Sequence, residues 1–143
     1  MSITGVKVVI DTNVLITIIS KRSSFRWIFD SIISGRIQIS ISTDILLEYK
    51  EILQRKTTFL IAESIVGFIS ISPYVEKTDI FYRFNLIEKD NTDNKFVDCA
   101  ISSNADCIIS NDKHFQILKT IAFPNVKILT LKEFDDKYKS EII

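Results

Sequence analysis

The sequence predicts an α/β fold, a three-layer α/β/α sandwich around a central, mainly parallel sheet. Three observations carry that prediction. Short β-branched runs recur without polar alternation, as in strands covered on both faces. Segments of helical apolar periodicity lie between them. Strands and helices alternate, which is the connectivity of a parallel sheet. At 143 residues the chain has the length of one domain, residues 1–143, and 46% hydrophobic content is enough for a core. Three glycines and two prolines are too few for a linker or a disordered tail.

The elements follow in order. Val6 to Ile10 reads as a buried strand, and Thr12 to Ser20 as a helix. Phe25, Ile28, Phe29, Ile32 and Ile33 fall on one helical face, and Gly35 closes that helix. Ile37 to Ile41 is a second strand. Ser42 or Thr43 caps the next helix, whose stripe is Ile45, Leu46, Tyr49, Ile52 and Leu53. Phe59 to Ile69 reads as another helix, ending near Pro73. Tyr74 to Asp90 has little pattern and reads as a loop or short helix, with Asp90 a loop charge. Asp93 to Ser103 is a helix with the stripe Phe96, Val97, Ala100 and Ile101. Cys107 to Ser110 is a third strand, His114 to Leu118 a short helix, and Val126 to Leu129 a fourth strand. Thr130 and Glu133 have the spacing of a capping box that opens the last helix.

Formal net charge is zero, so a nucleic-acid partner has to be argued from local patches. Cys99 and Cys107 sit in apolar surroundings outside any CxxC pair, which reads as buried free thiols in a reducing compartment. A strand-like run starts almost at once, so no signal peptide is expected. No apolar stretch reaches the roughly 18 uncharged residues of a membrane span. The expected location is the cytoplasm, with no membrane partner.

Four carboxylates have positions that this topology brings together. Ligands of an open parallel sheet bind beyond the carboxyl ends of its strands. Asp11 is the first residue after one strand, and Asp112 comes two residues after another. Asp93 starts the helix that precedes the Cys107 strand, so it begins at the edge where that strand ends. Glu48 lies in the first turns of the helix after the Ile37 strand, flanking its apolar stripe, whereas Glu51 points nearly opposite. Carboxylates gathered in this way repel one another unless a cation neutralises them. The cluster implies a metal, and the metal implies chemistry on phosphate. An oxygen-only donor set selects Mg²⁺ or Mn²⁺. Asp98, one turn past Asp93 and off the stripe, is either a further ligand or a solvated charge. The single histidine, His114, reads as a surface or core-edge residue rather than a ligand. Asn13 stands where haloacid-dehalogenase phosphatases carry a second Asp, which argues against an aspartyl-phosphate mechanism.

Several blocks then resemble the PIN-domain nucleases, in particular the VapC-like toxins of prokaryotic toxin–antitoxin pairs. They are Val9-Ile10-Asp11-Thr12-Asn13-Val14, Glu48, Asp93-Asn94-Lys95-Phe96-Val97-Asp98-Cys99-Ala100, and Ala105 through Phe115. The likeness covers nearly the whole chain and is weakest between Thr57 and Asp90. Ser110-Asn111-Asp112 departs from the Thr-Gly-Asp usual in that branch, although Ser keeps the hydroxyl. The resemblance implies a metal-dependent endoribonuclease, a hydrolase that cleaves phosphodiester bonds of single-stranded RNA, inhibited by an antitoxin protein. Asp11, Glu48, Asp93 and Asp112 would be its catalytic and metal-holding residues, with Asn13 and Ser110 orienting ligands or water. Lys21, Arg22 and Arg26 follow the first helix and are candidates for gripping the RNA backbone. A homodimer is common in the family and is permitted by the apolar content. The alternative is a non-catalytic domain of the same fold that binds RNA or a protein partner.

Overall fold

The computed structural model describes residues 5–87, 93–122 and 124–143. Among them, five strands form one sheet: β1 (Lys7–Ile10), β2 (Gln38–Ile41), β3 (Val75–Lys77), β4 (Cys107–Ile109) and β5 (Ile128–Leu129). Their order is β3-β2-β1-β4-β5, and every neighbouring pair is parallel. The crossovers from β1 to β2 and from β2 to β3 step one way across the sheet, and the later ones step the other way. Right-handed connections therefore place helices on both faces, the three-layer architecture expected. Direction reverses between β1 and β4, so their carboxyl ends flank the crevice where such sheets bind ligands.

The helices are α1 (Thr12–Ile19), α2 (Arg26–Ser34), α3 (Thr43–Lys56), α4 (Phe59–Ile71), α5 (Asn94–Ser103) and α6 (Leu131–Ile142), with a 3₁₀ segment over Lys113–Thr120. Local chemistry sets their ends. Ser42 Oγ accepts from the Ile45 N–H at 3.3 Å, which settles the cap of α3. Thr130 and Glu133 exchange both bonds of the capping box at 3.1 and 2.8 Å. Gly35 ends α2 at φ 83, where a β-carbon would lie 2.7 Å from a ring carbon of Tyr74. Val8, Val9, Ile10, Ile39, Ile41, Ile108 and Ile109 fill the core, with Tyr49 of α3 fully buried among them. Trp27 of α2 stacks on Phe134 of α6 with ring centroids 6.1 Å apart. Phe96 of α5 meets Phe115 edge-on at 6.4 Å, tying the start of α5 to the segment after β4.

Four expectations are corrected. The segment from Tyr74 contains the edge strand β3, paired through Ile39↔Val75 and Ile41↔Lys77. It is three residues long with one buried apolar side chain, too short to display a period. Ile33 lies at the edge of its helical face and is exposed. The strand expected from Val126 narrows to Ile128–Leu129. Asp98 is buried rather than solvated, because α5 is covered on nearly every side. Asp90 lies outside the described residues. Cys99 and Cys107 are buried and unpaired, as expected, and burial pushes both thiols up to about 12.

Candidate metal centre

The register of β1 against β4 builds the centre of the cleft. Ile10 pairs with Ile109, so the residues just beyond them, Asp11 and Ser110, face each other at the carboxyl edge. The Asp11 N–H donates to the Ile109 carbonyl at 3.2 Å. Asp11 is also the N-cap of α1, its Oδ1 accepting from the Val14 N–H at 2.9 Å. Its Oδ2 accepts from the Ser110 hydroxyl. Ser110 Oγ in turn accepts from the Asp112 N–H at 3.0 Å. One buried hydroxyl thus couples the loop after β4 to the residue after β1. Tyr49 secures the same strand end from below, donating its hydroxyl to the Ile10 carbonyl. Burial pushes the Asp11 carboxyl above the usual carboxylate range, and the nearby charges of Asp112 and Glu48 push the same way. The Ser110 and Val14 bonds oppose that shift.

Asp112 is the N-cap of the 3₁₀ segment, its Oδ1 accepting from the His114 N–H at 2.9 Å. Asp93 precedes α5 but makes no side-chain capping bond to it. Asp93, Asp112 and His114 each offer a ligand atom, and these atoms lie within 4.8 Å of one another. His114 Nδ1 is 3.5 Å from Asp93 Oδ2 and 3.6 Å from Asp112 Oδ1. His114, expected at the surface or core edge, is exposed and also borders the acidic group. Its proximity follows from the turn after β4, which swings the residue two positions past Asp112 back toward α5. A donor set of carboxylates and one imidazole fits a divalent ion, and the nitrogen tilts it toward Mn²⁺ over Mg²⁺.

Glu48 faces the cleft and Glu51 faces solvent, as the helical phase requires. Glu48 Oε2 accepts from the Thr12 hydroxyl, and Oε1 lies 2.6 Å from Lys95 Nζ. Glu51 is paired with exposed Arg55 at 3.1 Å. Lys95 was not among the residues singled out in the sequence, although it stands two positions after Asp93. Asn13 is exposed and its Oδ1 lies 3.4 Å from Lys56 Nζ. A cleft of about 210 Å³ is lined by Asp11, Asn13, Val14, Thr17, Asn111 and Asp112. Asp98 stands apart from this group. Its Oδ1 accepts from the Phe84 N–H at 3.0 Å and anchors that segment against α5. Burial raises its carboxyl, opposed by the Phe84 bond and the Arg83 charge.

The basic residues Lys21, Arg22 and Arg26 follow α1, as expected. Arg26 is engaged within its own neighbourhood, 3.0 Å from Asp30 and donating to the Ile19 carbonyl at 2.5 Å. Lys21 and Arg22 are exposed but lie past the far end of α1. An eight-residue helix spans about 12 Å, so they stand roughly that far from Asp11. Among the described residues, Lys95 stands beside Glu48 and Lys56 beside Asn13 of the cleft.

Comparison with known proteins agrees with this architecture. A family model described as PIN domain matches residues 7–114, most of the chain. A chain of the VapBC2 complex from Rickettsia felis, crystallised with a DNA fragment from its promoter, is similar in fold at TM-score 0.60 and 18% identity. That match covers 87% of this chain and 98% of the other. The PIN-domain endonuclease Utp24 is similar at TM-score 0.52 and 18% identity, covering 87% of this chain and 84% of that one. No curated protein matches. Among the described residues no helix is long and apolar enough to cross a membrane.

Proposed function

This chain belongs to the PIN-domain family, and we propose that it is a divalent-metal-dependent endoribonuclease acting on single-stranded RNA in the cytoplasm. The observation that carries the reading is the convergence of Asp93, Asp112 and His114 within 4.8 Å at the switch point of the sheet, beside Asp11 and Glu48. Capping explains Asp11 and Asp112 separately. It does not explain why Asp93, Asp112 and His114 gather at one edge.

Asp11, Asp93 and Asp112 would hold Mg²⁺ or Mn²⁺, with Glu48 beside them. When bound, the ion supplies a water of lowered pKa and positive charge opposite the scissile phosphate. The protein's own part is orientation. Ser110 fixes the rotamer of Asp11 and the backbone of Asp112 with one hydroxyl. Thr12 and Lys95 fix Glu48. Asn13 stands at the cleft wall, where it can hold a water or a ribose hydroxyl. Lys56 and Lys113 supply local positive charge for a phosphate backbone on a chain of zero net charge. The similarity in fold to a chain of a VapBC complex supports an assignment as a toxin held in check by an antitoxin protein, and a homodimer is part of that proposal.

The test is cleavage of single-stranded RNA in Mn²⁺ or Mg²⁺ by folded wild type and by Asp11→Asn, Asp93→Asn and Asp112→Asn. Each amide is expected to cut the rate by about a hundredfold or more, and a second amide to add little because the residues act as a unit. Equal cleavage by wild type and all three variants sinks the assignment. Retained RNA binding with no metal-dependent cleavage selects the non-catalytic reading instead.

A further inference from the structure

We propose that Lys95 takes the place of a second metal ion, so that the cleft holds one divalent cation per chain and a lysine ammonium stands where a two-metal nuclease would hold the other. The inference rests on the metal reading above and sharpens it. Two-metal sites place their ions about 3.5–4 Å apart, bridged by carboxylates that spend oxygens on both. Here Glu48 has spent its oxygens otherwise. One takes the Thr12 hydroxyl, and the other sits 2.6 Å from Lys95 Nζ. Neither side chain is loosely placed, with exposures of 24% for Glu48 and 21% for Lys95. Lys95 leaves the first turn of α5, two residues after Asp93, so its backbone is fixed by the helix that also positions Asp93.

The Lys95 charge also bears on the carboxylates around it. Asp11, Glu48, Asp93 and Asp112 share one electrostatic neighbourhood, since Asp112 and Glu48 both act on Asp11 and Asp93 has a ligand atom within 4.8 Å of one of Asp112. Against four carboxylates, one divalent ion with the Lys95 ammonium leaves a net charge of about −1 and two ions with it about +1, so the charge sum alone does not choose the count and the Glu48–Lys95 contact does. A lysine ammonium is a compact, strongly hydrated point charge. It answers the repulsion at Glu48 before any metal arrives, leaving Asp11, Asp93, Asp112 and His114 to compose the single ion site. Lys95 is on this account a positioning residue, acting through Glu48.

The experiment counts bound Mn²⁺ by titration calorimetry and by the loss of the free-ion electron paramagnetic resonance signal, with the full chain and no RNA. Wild type is expected to bind one Mn²⁺ per chain, and Lys95→Arg to do the same. Lys95→Met is expected to bind a second Mn²⁺, or to bind the first more tightly by on the order of tenfold, as removal of one nearby positive charge requires. Lys95→Gln gives the same reading with a polar side chain if the methionine variant does not fold by circular dichroism. Adding Glu48→Gln to Lys95→Met should return the count to one. Two ions of comparable affinity in wild type overturn the inference and leave the metal-dependent nuclease intact. An unchanged count and affinity in both Lys95→Met and Lys95→Gln overturn it as well. No Mn²⁺ bound by wild type at millimolar concentration overturns the metal reading itself, and this inference falls with it.

Discussion

Replacing Asp93 with Asn separates a metal site from a structural carboxylate, because the two readings give opposite signs. Asp93 is 13% exposed, and its ligand atom lies within 4.8 Å of that of Asp112. Two like charges at that distance repel by about 3 kcal/mol at an effective dielectric of ~20 and by about 1 kcal/mol in water. Asp112 is 38% exposed, so screening favours the lower figure. Asp93 lies 3.5 Å from His114 Nδ1, a contact that an isosteric amide can keep. A 143-residue domain responds by about 3 °C per kcal/mol. In chelator, Asp93→Asn should therefore melt about 3 °C above wild type. With Mn²⁺ at a hundred times its Kd, wild type gains about 2.7 kcal/mol from selective binding to the folded state, or about 8 °C. The variant should forfeit most of that. Melting curves in excess chelator and in excess Mn²⁺ should thus reverse their order. A variant that melts below wild type in chelator, or that gains the same from Mn²⁺, refutes the reasoning.

The other predictions use the same two measurements. Glu48→Gln should abolish most RNA cleavage and cost about 1–2 kcal/mol by leaving the Lys95 ammonium without its charged partner, whereas Glu51→Gln, on an exposed pair with Arg55, should change stability by less than about 0.5 kcal/mol and leave cleavage intact. Equal damage from both would put the helical phase of α3 in error. His114→Ala should shrink the stabilisation by Mn²⁺ more than that by Mg²⁺, because only the softer ion gains from an imidazole nitrogen; an equal loss for both ions would place His114 outside the coordination. Asp98 gives a pH dependence whose sign is fixed by its raised carboxyl, buried first and countered by Phe84 and Arg83. The folded state holds that proton more tightly than the unfolded chain, so the contribution is fully present below the unfolded value near 3.8 and is lost as pH rises through the higher folded value. In chelator, the melting temperature of Asp98→Asn relative to wild type should therefore climb between pH 4 and pH 7, and a flat or falling difference would contradict the burial argument.

The parts of this molecule legible in the sequence are those where one residue's chemistry is set by its nearest neighbours along the chain. Asp11 could be placed because it ends a β-branched run, and Glu48 because its helical phase against Ile45 and Tyr49 leaves only one side open. The topology then carries both to one edge, because a parallel sheet has a single carboxyl end. What stayed hidden was set by contacts between elements. β3 is an edge strand of three residues whose pairing with β2 supplies what its own pattern lacks. Asp98 lies off the apolar stripe of α5, and it is buried only because the segment through Phe84 folds over that face. His114 and Lys95 were unreadable for a related reason. Each lies within two residues of a carboxylate along the chain, but the distances that matter for Lys95 run from α5 to α3, and those for His114 run back to α5.

The same distinction bears on why the cleft does not need a basic protein around it. The expected RNA grip of Lys21, Arg22 and Arg26 came from a run of cations in sequence, and one of its members is consumed by Asp30 and the Ile19 carbonyl. The cations shown at the cleft come singly, from the end of α3 and the start of α5, each beside an amide or acidic residue of the centre. A chain of zero net charge can then hold a strongly negative site, with local cations answering single carboxylates and leaving a deficit that a divalent ion completes. Long-range steering of RNA would be weak in such a chain. Substrate capture would depend on contacts made inside the cleft, and its affinity should fall only shallowly with salt, since few phosphates would be neutralised there. A steep salt dependence of RNA binding by the Asp93→Asn variant, which binds without cleaving, would instead show that Lys21 and Arg22 extend the footprint along α1.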